Sequence, residues 1–196
     1  RLYAIGGTDG AQVLGVTEFL DLEANAWRSL SPMPTPRSGM AAAACRGRIC
    51  VLGGREGFMS LGTAERLIVD EGRWEAMPQM LSARRFLAAA TLSGKVFAIG
   101  GEDDTFTPLR HVERFDPEAG LWDVVAPMPT PRRGLAAVAF RGRLYAVGGG
   151  RAARAQACQA LSTVEQYDPE SSRWTALASL SSPRMFLSSE AFGGRL

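Results

Sequence analysis

The sequence repeats itself, and a repeat decides architecture before any single residue does. A diglycine recurs at Gly6-Gly7, Gly53-Gly54, Gly100-Gly101 and Gly148-Gly149, in steps of 47, 47 and 48 residues. All four tryptophans, Trp27, Trp74, Trp122 and Trp174, fall in the same register. A glutamate stands nine residues before each (Glu18, Glu65, Glu113, Glu165) and an arginine ten residues after (Arg37, Arg84, Arg132, Arg184). Four markers in step over four copies describe tandem units that bury their apolar faces against one another. The units run approximately over 1–46, 47–93, 94–141 and 142–193, with the start of a further one at 194–196.

Within a unit the pattern is short strands joined by turns. Arg48 to Leu52, Lys95 to Ile99 and Arg143 to Val147 are apolar runs of strand length, each ended by the diglycine. A smaller apolar run precedes each: Met40 to Cys45, Leu87 to Leu92, Leu135 to Phe140. The joints Arg46-Gly47, Ser93-Gly94 and Arg141-Gly142 offer the positive φ of a two-residue hairpin. Val112 to Asp116 forms a third strand, and Pro117-Glu118-Ala119-Gly120 turns into a fourth around Trp122. Four antiparallel strands per repeat make one blade of a β-propeller.

The stretch Val164-Glu165-Gln166-Tyr167-Asp168-Pro169, with Trp174 seven residues after the tyrosine, resembles the Kelch repeat. The third copy has Phe115 in the tyrosine place, and the first two have Leu20 and Leu67 there, with the spacing of seven kept. The resemblance covers essentially the whole chain and implies an all-β Kelch-type propeller of four tandem four-stranded antiparallel blades. Each tryptophan is then expected between adjacent blades, and each repeated glutamate as a hydrogen-bond acceptor inside the blade. The chain opens on a second strand and ends on Gly193-Gly194-Arg195-Leu196, the start of another. Phe186 to Phe192 would be a first strand without the rest of its blade. A fragment of a larger propeller, commonly of about six blades, is therefore expected. The alternative is a four-blade ring closed by that last strand.

Chemistry is sparse. The net charge of +2 argues against nucleic acid, and no apolar run reaches the length of a membrane span. One histidine, His111, and three scattered cysteines make no zinc set, and no cofactor or catalytic residue is expected. Cys45 and Cys50 would lie diagonally across a hairpin, a poor geometry for a disulfide, and reduced thiols without a leader fit a cytoplasmic protein. The basic residues are 21 arginines and one lysine, and arginine suits bidentate contacts with carboxylates.

Loops at one mouth of the channel are the candidate binding surface. One family precedes each first strand and carries Arg37, Ser38, Arg84, Arg85, Arg132, Arg133 and Arg184; the other follows each diglycine and carries Arg55 and Arg151. The similarity to BTB–Kelch adaptors implies that such Arg and Ser positions grip an acidic motif of a protein partner. An architectural role competes for Arg37, Arg84, Arg132 and Arg184, which recur in every copy. Arg85 and Arg133 are not in every copy and are the better binding candidates. Asp9, Glu102, Asp103 and Asp104 oppose the arginines on two blades, so an uneven potential is expected. In the longest loop, Arg151 to Gln156 would be a finger or a short helix. The expected function is protein interaction, as substrate recognition for a cullin-type ubiquitin ligase reached through other domains. An actin-binding Kelch protein and a propeller enzyme such as a sugar mutarotase or a specifier protein are the alternatives.

Overall fold

A computed structural model describes residues 1–152, 158–191 and 193. Among them there are only strands and loops, arranged as an arc of four blades. Blade 1 holds β1 (Leu2–Ile5), β2 (Thr17–Asp21) and β3 (Ala26–Ser29). Blade 2 holds β4 (Ala41–Cys45), β5 (Arg48–Leu52), β8 (Ala64–Ile68) and β9 (Arg73–Met77), with the small hairpin β6 (Arg55–Glu56) and β7 (Met59–Ser60) between its second and third strands. Blade 3 holds β10 (Ala88–Leu92), β11 (Lys95–Ile99), β12 (Val112–Asp116) and β13 (Leu121–Val125). Blade 4 holds β14 (Ala136–Phe140), β15 (Arg143–Val147), β18 (Val164–Asp168) and β19 (Arg173–Leu177), with the hairpin β16 (Gly150–Ala152) and β17 (Cys158–Ala160). Every pairing is antiparallel between strands consecutive within a blade.

The turn chemistry explains the register. Arg46 and Gly47 have φ of 51° and 73°, and Ser93-Gly94 and Arg141-Gly142 repeat this double left-handed turn. It matches the right-handed twist of the strands it joins. Cys45 consequently faces Arg48, and Cys50 faces Ala43. Both thiols are free and buried, and burial pushes Cys50 up to about 11.

The core lies between the blades. Leu52, Met80, Leu87, Val96, Phe115 and Trp122 fill the seam of blades 2 and 3, and Ile99, Val112, Met128, Leu144 and Tyr167 that of blades 3 and 4. The second strands of blades 2 to 4 are largely buried on both faces, which is why they read as unbroken apolar runs: Val96, Ala98 and Ile99 are fully buried. Three of the four indoles reach back one blade. Nε1 of Trp74 donates to Ser31 O (3.0 Å), that of Trp122 to Pro78 O (2.9 Å) and that of Trp174 to Ala126 O (2.8 Å).

Two expectations need correction. Trp27 is not packed between blades but 48% exposed, against 8% for Trp122, because no described blade precedes its own. Residues 186–191 form no strand, and the opening sheet keeps three strands, so no ring closes through them. A first strand needs the second strand of its own blade as a partner, and none lies beside residues 186–191 among the described residues; Phe192 and 194–196 lie outside them.

Candidate functional site

The two loop families do meet at one end of the arc. Short antiparallel bridges join Ser38 to Arg55, Arg85 to Glu102 and Arg133 to Gly150, each linking the loop before a first strand to the loop after a diglycine. Two rows of side chains result, one residue apart in sequence, and they have opposite fates.

The row formed by Arg37, Arg84 and Arg132 is fully buried. Arg37 Nη1 donates to Gly53 O and Thr63 O (both 2.9 Å), and Nη2 faces Glu65 Oε2 at 3.3 Å, an ion pair without hydrogen-bond alignment. Arg84 donates to Gly100 O (3.2 Å) and His111 O (3.1 Å) and pairs with Glu113. Arg132 donates to Gly148 O (2.9 Å) and Thr163 O (3.1 Å) and pairs with Glu165 at 2.9 Å. Burial lowers all three guanidinium pKa values, and the paired glutamates oppose it. The backbone closes the same joint from the other side, since Gly7, Gly54 and Gly101 N–H donate to the carbonyls of Arg37, Arg84 and Arg132 at 2.9 Å. A Cβ on Gly53 would stand 2.5 Å from Arg84 O, so the first glycine of the pair is required by close approach as well as by its φ of 58°. Arginine, glutamate and diglycine therefore recur together because they form one inter-blade staple. Arg37, Arg84 and Arg132, expected at the mouth as partner contacts, offer nothing to a partner. Arg184, in the same register, is exposed and donates to Ser182 Oγ at 3.0 Å.

The second row is where the repeats differ. In blade 2 it reads Ser38, Arg55, Ser60, three residues opposite one another and hence on one face. Ser38 Oγ, Arg55 Nε and Ser60 Oγ are all buried without a hydrogen-bond partner. In blade 3 the row holds Arg85 and Glu102, and in blade 4 Arg133 and Gly150. Arg85 Nε donates to Glu102 Oε1 at 2.9 Å, and its Nη1 to Phe58 O at 3.1 Å. Its guanidinium also lies 4.8 Å from the centre of the Phe106 ring. Arg133 Nη1 pairs with the other oxygen of Glu102, and its Nε donates to Cys158 Sγ at 3.4 Å. Arg85 is thus not an open cation, a second correction; its side chain is 4% exposed, that of Arg133 22%. Asp104 accepts from the Ser60 amide at 2.7 Å, and that bond holds its carboxyl below the usual range. Arg55 is half-buried, with one long bond to Gly57 O (3.4 Å). Arg151 is exposed and donates to Gln159 Oε1 (3.0 Å) from a strand, not a helix; residues 153–156 of the expected finger lie outside the described residues.

One residue further along, an inner ladder links the blades. Phe86 N–H donates to Gly39 O, Gly134 N–H to Phe86 O and Phe186 N–H to Gly134 O, each at 2.7 Å. All four residues have positive φ. The rings of Phe86 and Phe186 meet edge to face at 5.4 Å. Sequence reasoning passed over this ladder, and it placed Glu102 only among the acids opposing the arginines, without its buried pairing to Arg85 and Arg133. The signal for Glu102 was available: Thr8, Arg55 and Gly150 stand in its place in the other repeats.

The comparisons with known proteins agree with this architecture. A family model described as the KLHDC2/KLHL20/DRC7 Kelch-repeats domain matches residues 2–194, and the chain belongs to that Kelch-repeat family. Among solved structures it superposes on the one titled "Structure of YjhT" with a TM-score of 0.73 and 16% identity, over 92% of this chain and 66% of that one. The chain thus spans just under two thirds of that protein, and at this identity the likeness is one of fold alone. No curated protein matches.

Proposed function

We propose that this Kelch arc is a protein-recognition module that takes an acidic segment of its partner at the mouth. The observation that carries the reading is the row Ser38, Arg55, Ser60, which holds three buried polar atoms without partners on one face. Buried polar groups in folded proteins are almost always satisfied, so an unsatisfied row beside a loop surface supports a partner that supplies the missing acceptors. Arg151, exposed on the neighbouring hairpin, extends the positive side of the surface. A non-catalytic role is supported by the buried carboxylates: Glu65, Glu102, Glu113 and Glu165 each face an arginine partner that engages them structurally. In the BTB–Kelch setting that the repeats resemble, the partner would be a substrate presented to a cullin-type ligase in the cytoplasm.

Fluorescence anisotropy with a labelled hexaglutamate peptide tests the mouth. Wild type should bind it, and Arg55→Glu should weaken binding by roughly tenfold or more with an unchanged melting temperature. Equal binding by the two proteins would move the site away from blade 2. Co-capture of a cullin with the protein that carries this arc tests the ligase setting; actin in its place would favour the cytoskeletal reading.

A further inference from the structure

The cluster Arg85–Glu102–Arg133 is the part of the mouth that the repeat does not explain. The staple pairs recur from blade to blade, but Glu102 occurs once, and its counterparts Thr8, Arg55 and Gly150 carry no acid. Its carboxylate is 1% exposed and divides its two oxygens between guanidiniums of two different blades. Burying such a triad costs desolvation that apolar residues would not, so the fold has no need of it for stability. The neighbouring blades fill the Arg85 position with Ser38 and Arg133 and still form.

We infer that Glu102 is a built-in competitor for the acidic partner. It occupies Arg85 and Arg133 much as a partner carboxylate would, and so lowers affinity for acidic segments and directs them toward the Ser38–Arg55–Ser60 row. The inference rests on the proposed acidic-partner reading. Asp104, 4.0 Å from Arg85, adds to the same effect from the surface. The charge pattern narrows partner choice by repulsion: a segment with a carboxylate over blade 3 meets Asp104 at the surface and finds Arg85 and Arg133 already paired with Glu102.

The test compares hexaglutamate binding by wild type and Glu102→Gln at low ionic strength, with hexaglutamine as the neutral control. The release of two guanidiniums should tighten hexaglutamate binding by about tenfold, with steeper salt dependence and no gain for hexaglutamine. Thermal melts establish that the variant is folded. Should the unpaired arginines unfold Glu102→Gln, Arg85→Gln and the double variant Arg85→Gln/Glu102→Gln carry the same question, and the double variant should bind the tighter of the two. Equal affinity for hexaglutamate in wild type and variant overturns the competitor role and leaves the acidic mouth standing. Binding by neither protein overturns both. Equal tightening for hexaglutamine shows an effect other than charge and also overturns the inference.

Discussion

Two rows of side chains run side by side beneath and across the mouth, and one residue of sequence separates them. Arg37, Arg84 and Arg132 are buried and clamp each blade to its neighbour through backbone carbonyls and a glutamate. Ser38, Arg85 and Arg133 vary in kind, partner and exposure. A position that is the same in every repeat is tied to what every repeat must do, which is to join the next blade. A position that changes is released from that duty, and there binding specificity can be written on a constant frame.

The largest expected effect breaks the inner row. Arg84→Ala leaves the buried Glu113 carboxylate without its ion-pair partner, strips Gly100 O of its side-chain donor and leaves His111 O with the Gly100 amide alone, so we expect a loss of roughly 3–5 kcal/mol in denaturant unfolding. Arg55→Ala in the outer row should stay within about 0.5 kcal/mol of wild type, because the half-buried side chain makes a single long bond and its buried Nε makes none. Similar losses at both positions would erase the distinction between the rows.

The tryptophans sharpen it. Trp122→Ala should cost about 3–5 kcal/mol, since the indole is packed in the seam and bonded to Pro78 O. Trp27→Ala should cost under about 1 kcal/mol, because the Trp27 face is open. Equal costs would mean that the seam between blades contributes less than the geometry assigns to it.

The smallest effect is electrostatic and depends on pH. The Asp116 carboxyl accepts from Lys95 and the Glu118 amide, which hold it down to about 2 from 3.8. A depressed carboxyl stabilises the fold above its unfolded value and loses that contribution as pH falls through about 2. The melting temperature of Asp116→Asn should lie slightly below wild type at neutral pH and converge with it between pH 3.8 and about 2. A gap that persists at the acid end would point to a packing defect in place of the lost charge.

The repeat carried the fold in the sequence. The spacing of diglycine, glutamate and tryptophan gave the blade, its strand order and the Arg46-Gly47 type of hairpin, because these follow from local turn geometry and alternating burial. The site was legible only as a loop surface. Arg84 and Arg85 are adjacent and chemically identical in the sequence, and nothing local tells which one turns into the seam. That choice is made by Glu113 and Gly100 on one side and Glu102 on the other, between 16 and 29 residues away along the chain. Sequence determined which backbone conformations each segment could hold. The tertiary structure decided which charges meet, because the pairing of a buried arginine depends on groups from neighbouring repeats that only blade packing brings within reach.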